Sequence, residues 1–337
     1  MKTGILLINL GTPDSPSTRD VRKYLREFLM DPEVIDINPV ARWLLVNLII
    51  APFRAPKSAK LYEKIWTKEG SPLLIYGNAL TQKLQHSLGE DYVVKLAMRY
   101  RNPSIRNVLR EMMKENVEKI IAVPLYPQYA SSSTGSTITR LEKEIAAQKI
   151  TVPVKIISRF HQRREYIDAV AAGAGSFDLS QYDHVLFSFH GVPERHITKT
   201  DAKLGNGKCY FGNCCDTIHA GNEFCYRANC LATAHDVARK LSLSPEKYTI
   251  SFQSRLGRTP WIRPYSDEII AELAQKGKKK ILAFSPAFVA DCLETIYEIG
   301  VEYDELFRRN GGEKVQLVPS LNADDSWVAA LQKIILS

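Results

Sequence analysis

The chain has 337 residues, a length that suits two domains of ordinary size. Apolar residues make up 45% and charged residues 24%, which describes a soluble globular protein long enough to bury a core. The formal charge of +8 is carried by scattered Lys and Arg; it permits an anionic substrate or membrane surface and requires neither, and no zinc-finger or RNA-binding signature supports a nucleic-acid partner.

The first predicted element lies in "MKTGILLINLGTPDSP". Its apolar run is short, starts almost at once and breaks into Gly-Thr-Pro without a small-residue cleavage pattern, so a buried strand is expected rather than a signal peptide. The turn that follows has neither Gly-x-Gly-x-x-Gly nor the Gly-Lys-Ser/Thr of a P-loop, which argues against nucleotide binding. Next comes "VARWLLVNLIIAPF", residues 40–53. It falls short of the ~20 residues of a spanning helix and carries Arg42 and Asn47. Burial as a core helix is the default expectation; an exposed apolar lip touching a membrane or a greasy ligand is the alternative. With neither a signal peptide nor a spanning helix, a cytoplasmic location is expected.

The chain also repeats itself. "ILLINLGTPDSPSTRDVRKYL" resembles "VLFSFHGVPERHITKTD", "VVKLAMRYRNPSIRNVLREMM" resembles "TISFQSRLGRTPWIRPYSDEII", and "KIIAVPLYPQYASSSTGSTITRL" resembles "KILAFSPAFVADCLETIYEIG". Matches in the same order imply two copies of one domain, meeting near residues 150–180. Each copy alternates continuous apolar strands with amphipathic helices, the pattern of a parallel sheet with helices on both faces. The expected organisation is a first domain over 1–155 with the lip at about 39–76, a second over 156–312, and a C-terminal extension over 313–337. Such sheets bind ligands beyond the carboxyl ends of their strands, so the cleft between the copies is the expected site.

His190 falls at such an end, in "VLFSFHGVPERH". A histidine bonded to a loop carbonyl is the plain reading for an isolated ring, and the neighbouring patterns weigh against it. An insertion at about 203–230 follows, holding five of the six cysteines: Cys209, Cys214, Cys215, Cys225 and Cys230. Without a secretory signal a disulfide scaffold is disfavoured. Four thiolates could hold Zn²⁺ or a [2Fe–2S] cluster, although the spacing matches no known zinc module or plant-type ferredoxin. Cys209, Cys214, Cys225 and Cys230 are the preferred four, and unligated cysteines are the alternative. The last predicted helix runs from "ADCLETIYEIGVEY" to Gly311 and Gly312. Glu294, Glu298 and Glu302 recur every four residues, with Asp291 three before the first. On one helix face they form a line of like charges costing about 0.2–0.5 kcal/mol per pair unless a cation relieves them. A solvated outer face is the ordinary meaning of such a run. The apolar set Leu293, Ile296 and Ile299 beside it suggests instead a file leading inward, suited to a divalent cation or a proton relay.

With these segments in hand the chain resembles the ferrochelatase family over nearly its whole length. The resemblance is carried by "LLINLGTPDSP", "YEKIWTKEGSPL", "MRYRNPSI", "PLYPQYASSSTGS", "FSFHGVPERH", "ADCLETIYEIGVEY" and "VPSLNADDSWVAAL". It implies two similar Rossmann-like domains with a porphyrin cleft between them, and insertion of Fe²⁺ into protoporphyrin IX or coproporphyrin III with release of two protons. It implies that His190 and Glu294 are the catalytic, metal-contacting pair, that Glu298, Glu302 and Asp291 form the acidic file, and that Leu10, Arg99, Tyr126, Trp43 and Leu44 touch porphyrin. The resemblance also implies that 43–53 is a lip facing a membrane surface. No cofactor is needed for the chemistry, but some members carry [2Fe–2S] clusters, which favours iron–sulfur over zinc at the cysteines. One departure concerns substrate choice: where animal members have a basic pair before the "GSP" segment, this chain has Glu63-Lys64. The alternatives are a cobalt chelatase for a related tetrapyrrole, a non-catalytic porphyrin or haem carrier, which would not need the file of glutamates, and a thiol redox protein, which would not need duplicated sheets.

Overall fold

Ile5, Leu6, Leu7 and Ile8 are all fully buried. A strand with apolar side chains on both faces needs cover on both sides, the condition of an interior strand in a parallel sheet. In the computed structural model, which describes residues 2–255, 257 and 259–337, this run is the centre of β1 (Lys2–Gly11). It pairs in parallel with β2 (Tyr92–Tyr100) on one side and β3 (Val117–Pro124) on the other, and β4 (Val154–Ile156) completes a sheet of order β2-β1-β3-β4. Leu109, Met112 and Leu141 from the flanking helices close one face over Leu6 and Ile8.

The second half repeats the plan. Strands β5 (His184–His190), β6 (Tyr248–Gln253), β7 (Lys280–Phe284) and β8 (Lys314–Leu317) form a parallel sheet of order β6-β5-β7-β8. Leu186, Ile281 and Ala283 of this sheet pack against Ile270, Phe307 and Val315. The two sheets share one strand order, as the internal repeat requires. In each, the chain reverses direction across the sheet between its first and third strands, and that reversal marks where parallel α/β sheets place ligands.

The compact units are interleaved in sequence. The first holds residues 1–126, 131–159 and 323–337; the second holds 127–130 and 160–322. Strand β8, expected within the C-terminal extension, is the edge of the second sheet. It is short and only half apolar, so it read weakly as a strand, yet Val315 is fully buried beside Ile281. Only the last helix, Asp325–Leu336, returns to the first unit. There Lys83 Nζ meets Asp325 at 2.7 Å, Ser87 donates to Gln332 at 2.8 Å, and Lys155 Nζ reaches the Ser337 carbonyl at 2.7 Å.

The apolar segment after the first helix departs from the burial expected by default. Asn38 caps Val40 and Ala41, and Pro39 opens a helix (Pro39–Leu44) where its missing N–H costs nothing. The helical path continues as a π-helical stretch (Leu45–Ile50) and an α-helix (Ala51–Ile65). Its inward face is made of Val46, Ala51, Ala55 and Ala59, together with Arg42, whose guanidinium donates to the Ile35 carbonyl at 3.0 Å. Val40, Trp43, Leu44, Leu48, Ile49 and Phe53 face outward, Phe53 with 73% of its surface exposed. Alanines pack closely along 51–59, Tyr62 and Ile65 are buried beyond them, and six large apolar residues of 40–53 are left outside. Among the described residues no helix is long and apolar enough to cross a membrane.

Candidate active site

His190 is the last residue of β5, at the reversal point of the second sheet. Its Nδ1 lies 2.6 Å from the Gly191 carbonyl, so Nδ1 carries the proton and the lone pair sits on Nε2. The peptide around it is held on both sides. The His190 carbonyl accepts the Tyr226 hydroxyl at 2.8 Å, and the Gly191 N–H donates to the Gln253 carbonyl at 2.8 Å. A Cβ on residue 191 would stand 2.8 Å from that same carbonyl, which explains the glycine. Phe288, after β7, packs edge-on against the imidazole with 6.3 Å between ring centroids.

The acidic segment is not the single α-helix that its spacing predicts. Glu294–Tyr303 is a π-helix, followed by a short α-helix (Asp304–Arg309) that ends at Gly311 with φ 100. In a π-helix hydrogen bonds run i→i+5. Along it the glutamates occupy different settings: Glu294 and Glu298 are half-buried and Glu302 is exposed. Glu298 Oε2 accepts from Gln253 Nε2 at 2.9 Å and from the Ser254 hydroxyl, and Oε1 accepts from the Tyr303 hydroxyl at 3.2 Å. Burial raises the Glu298 carboxyl above the usual carboxylate range, opposed by the Ser254 bond, the charge of His190 and the Gln253 bond, and reinforced by Glu294. His190 and Glu294 thus both act electrostatically on Glu298. Cys292 lies against Glu294; burial, and then the charge of that carboxylate, push its thiol well above the ordinary value.

Asp291 stands apart from the file. It is buried and accepts from the Thr295 hydroxyl at 3.0 Å, the Ser320 N–H at 3.1 Å and Asn322 Nδ2 at 2.8 Å. Those bonds brace the start of the π-helix against the segment after β8. Among the described residues, no three or more His, Cys, Asp or Glu side chains form a group that could hold a metal ion.

Gln253 and Ser254 carry no sequence motif and were not singled out from it. One signal was available: Ser188 lies two residues before His190, hence on the same sheet face, and Gln253 is the register partner of His190. Ser188 donates to Gln253 Oε1 at 2.8 Å. Ser254 has φ 65, a left-handed conformation costing a non-glycine residue about 1–3 kcal/mol.

In the first unit the expected porphyrin-contacting residues occupy the matching strand ends. Leu10 is near the end of β1, Arg99 near the end of β2, and Tyr126 follows β3. Arg99 is heavily engaged: Nη2 pairs with buried Asp31, Nε donates to the Ser136 hydroxyl at 2.7 Å, and the guanidinium lies 4.4 Å from the Tyr100 ring centroid. Asp31 Oδ2 also accepts from the Tyr100 hydroxyl at 2.9 Å and the Ser136 hydroxyl at 2.6 Å. Tyr126 is buried, and burial raises its phenol above the ordinary value. Trp43 and Leu44 are on the exposed face of the lip.

All six cysteines are unbridged. Cys214 and Cys215 have their sulfurs 3.7 Å apart. The hydrogen bond between Cys215 and Cys225 raises the first thiol and lowers the second, and burial, then the neighbouring Cys214 and Cys215, raise the Cys209 thiol. Cys230, one of the preferred four, is instead fully buried on the helix Tyr226–Lys240 against Tyr226 and Tyr166.

Residues 2–337 match the ferrochelatase family model. The chain belongs to the ferrochelatase family. The ferrochelatase of Coxiella burnetii (strain CbuK_Q154) is 45% identical over 334 residues, covering 99% of this chain and 93% of that one. The ferrochelatase of Legionella pneumophila (strain Lens) is 46% identical over 346 residues and covers 99% of each. Among solved structures, the sirohydrochlorin chelatase SirB from Bacillus subtilis subspecies spizizenii in complex with cobalt aligns with TM-score 0.56 at 11% identity, over all of this chain and 94% of that one. SirB from Bacillus subtilis with Fe3+ aligns with TM-score 0.52 at 11% identity, over 99% and 94%. At that identity the likeness bears on the fold, two parallel α/β domains of chelatase type. As a ferrochelatase the chain is a lyase-class metal chelatase, and it inserts iron into porphyrin for haem synthesis.

Proposed function

We propose that His190, Glu294 and Glu298 carry the metallation chemistry. Insertion must remove two pyrrole N–H protons and bring a dication to the ring centre. Imidazole with its lone pair on Nε2 can accept a proton or touch the metal, and carboxylates offer the hard oxygens that hold Fe²⁺ loosely enough to pass it on. One observation carries this reading: Gln253 ties the Glu298 carboxylate, the Glu294 backbone and the peptide beside His190 to a single strand end. Glu302, exposed on the same π-helix, would meet solvent iron first. Asp291 is assigned to bracing that helix. The substrate is protoporphyrin IX or coproporphyrin III. An anaerobic assay of Fe²⁺, Zn²⁺ and Co²⁺ against both porphyrins, with wild type and His190→Ala, tests the reading. Turnover near wild type in His190→Ala would remove the histidine from the chemistry.

The protein works at a membrane surface, held by the outward apolar face of the lip. The cysteine segment holds a [2Fe–2S] cluster through Cys209, Cys214, Cys215 and Cys225. Tetrahedral thiolate ligation at ~2.3 Å sets sulfurs a little under 4 Å apart, close to the spacing of Cys214 and Cys215. Bound there, a cluster would order a loop poor in apolar residues, because binding free energy at such a site is folding free energy. Protein purified without oxygen should be red-brown, with visible absorption bleached by dithionite. Colourless protein with bound zinc would reassign the site to Zn²⁺, and metal-free protein with reactive thiols would leave ordinary cysteines.

A further inference from the structure

Gln253 and Ser254 would not touch porphyrin on the reading above, yet they hold its acidic side. Gln253 is buried, and both ends of its amide are engaged. Oε1 accepts from Ser188, whose hydroxyl also meets Ser266 at 2.9 Å, and Ser266 meets Ser251 at 2.8 Å. A carboxylate oxygen of Glu298 accepts, so the end of the amide that faces it is the NH₂. The NH₂ then donates to Glu298 Oε2 at 2.9 Å and toward the Glu294 carbonyl at 3.3 Å. Ser254 adds its hydroxyl to the same Glu298 oxygen, and Tyr303 takes the other.

The backbone of Ser254 is the telling feature. With φ 65 the position suits glycine, which would adopt it without strain. A glycine would supply the turn but no donor. A serine kept there under strain is explained by the bond its hydroxyl makes to Glu298. We infer that Gln253 and Ser254 are positioning residues that fix the direction in which Glu298 presents its carboxylate to incoming metal. The inference rests on the proposed role of Glu298 in the iron route. An unrestrained glutamate would sample several rotamers; donors from β6 and from its own helix hold it in one.

The test uses the full-length protein with Zn²⁺ and, anaerobically, Fe²⁺ as metals. Ser254→Gly should leave melting temperature unchanged or higher and the KM for porphyrin unchanged, while raising the KM for metal about tenfold through loss of one bond to a charged group. Ser254→Asn should recover most of that loss, because asparagine tolerates positive φ and carries an N–H donor. Ser254→Gly with wild-type metal KM, or Ser254→Asn no better than Ser254→Gly, would overturn the positioning role. His190→Ala assayed alongside separates the two ideas: if it turns over like wild type, the active-site reading falls and takes this inference with it.

Discussion

Glu294→Gln should lower turnover by about 10²–10⁴-fold, the usual contribution of a positioned acid or base, because it keeps the shape and removes the charge. Glu298→Gln should come second, since its new amide would set an NH₂ against donors from Gln253 and Ser254. Glu302→Gln, on an exposed carboxylate, should act mainly on the KM for metal. Steady-state assays of the three variants with Zn²⁺ check this ranking, and equal losses at Glu302 and Glu294 would contradict it. His190 and Glu294 were legible in the sequence because an ionisable ring at a strand end and an acidic run are both unusual. Glu298's surroundings were not, because Gln253 and Ser254 are ordinary polar residues whose meaning depends on strand register and on a positive φ. The cysteines divide in the same way: five thiols in one segment are visible at once, but the fact that Cys230 faces a helix's buried side depends on packing.

Among the elements, the lip shows where a composition argument stops. Length and apolarity said that 40–53 is a helix too short to span a membrane, and could not say which face is buried. That was decided by Ala51, Ala55 and Ala59 packing closely and by Arg42 finding backbone carbonyls. Replacing Leu44, Leu48 and Ile49 by Ser should therefore leave melting temperature nearly unchanged and sharply reduce sedimentation with anionic liposomes. A large loss of stability would mean that this face is covered in the folded protein. The π-helix at 294–303 was equally hidden, because spacings of four and five residues cannot be told apart in a run of alternating glutamates and aliphatics.

At the scale of the whole chain, the repeat and the alternation of strands and helices made the two-sheet architecture legible. The interleaving was not, because the return of the last helix to the first unit depends on packing, and β8 is too short to declare itself as the edge of the second sheet. A pH effect on stability belongs to this scale. His184 opens β5 with Nε2 2.8 Å from the Thr249 hydroxyl, while its Nδ1 is buried without a hydrogen-bond partner among the described residues. Burial, then the charges of Lys278, Lys247 and Lys276, lower its pKa from 6.5 to about 4. Between those values the unfolded chain binds the extra proton and the folded one does not, so stability is full above pH 6.5 and falls as the pH drops toward 4. Melting curves from pH 7.5 to 4.5 should show the decline in wild type and a shallower one in His184→Gln. Parallel curves would assign the acid sensitivity to other groups.

The last helix carries a consequence for how the protein is made. Trp327, Leu331 and Ile334 are buried within the unit to which the first strands belong. On the ribosome that unit has all of its strands once residue 159 has emerged, but its final helix must wait until residues 160–322 of the second unit have been made. At ~5–20 residues per second, on the order of ten seconds or more pass before residue 323 appears. Throughout that interval the helix Pro72–Leu88 has no partner on the side that the chain's end will cover. A segment translated after the second unit therefore acts as a latch on the first, and a released chain cut after residue 320 would expose an apolar surface to chaperones even though both of its sheets were complete.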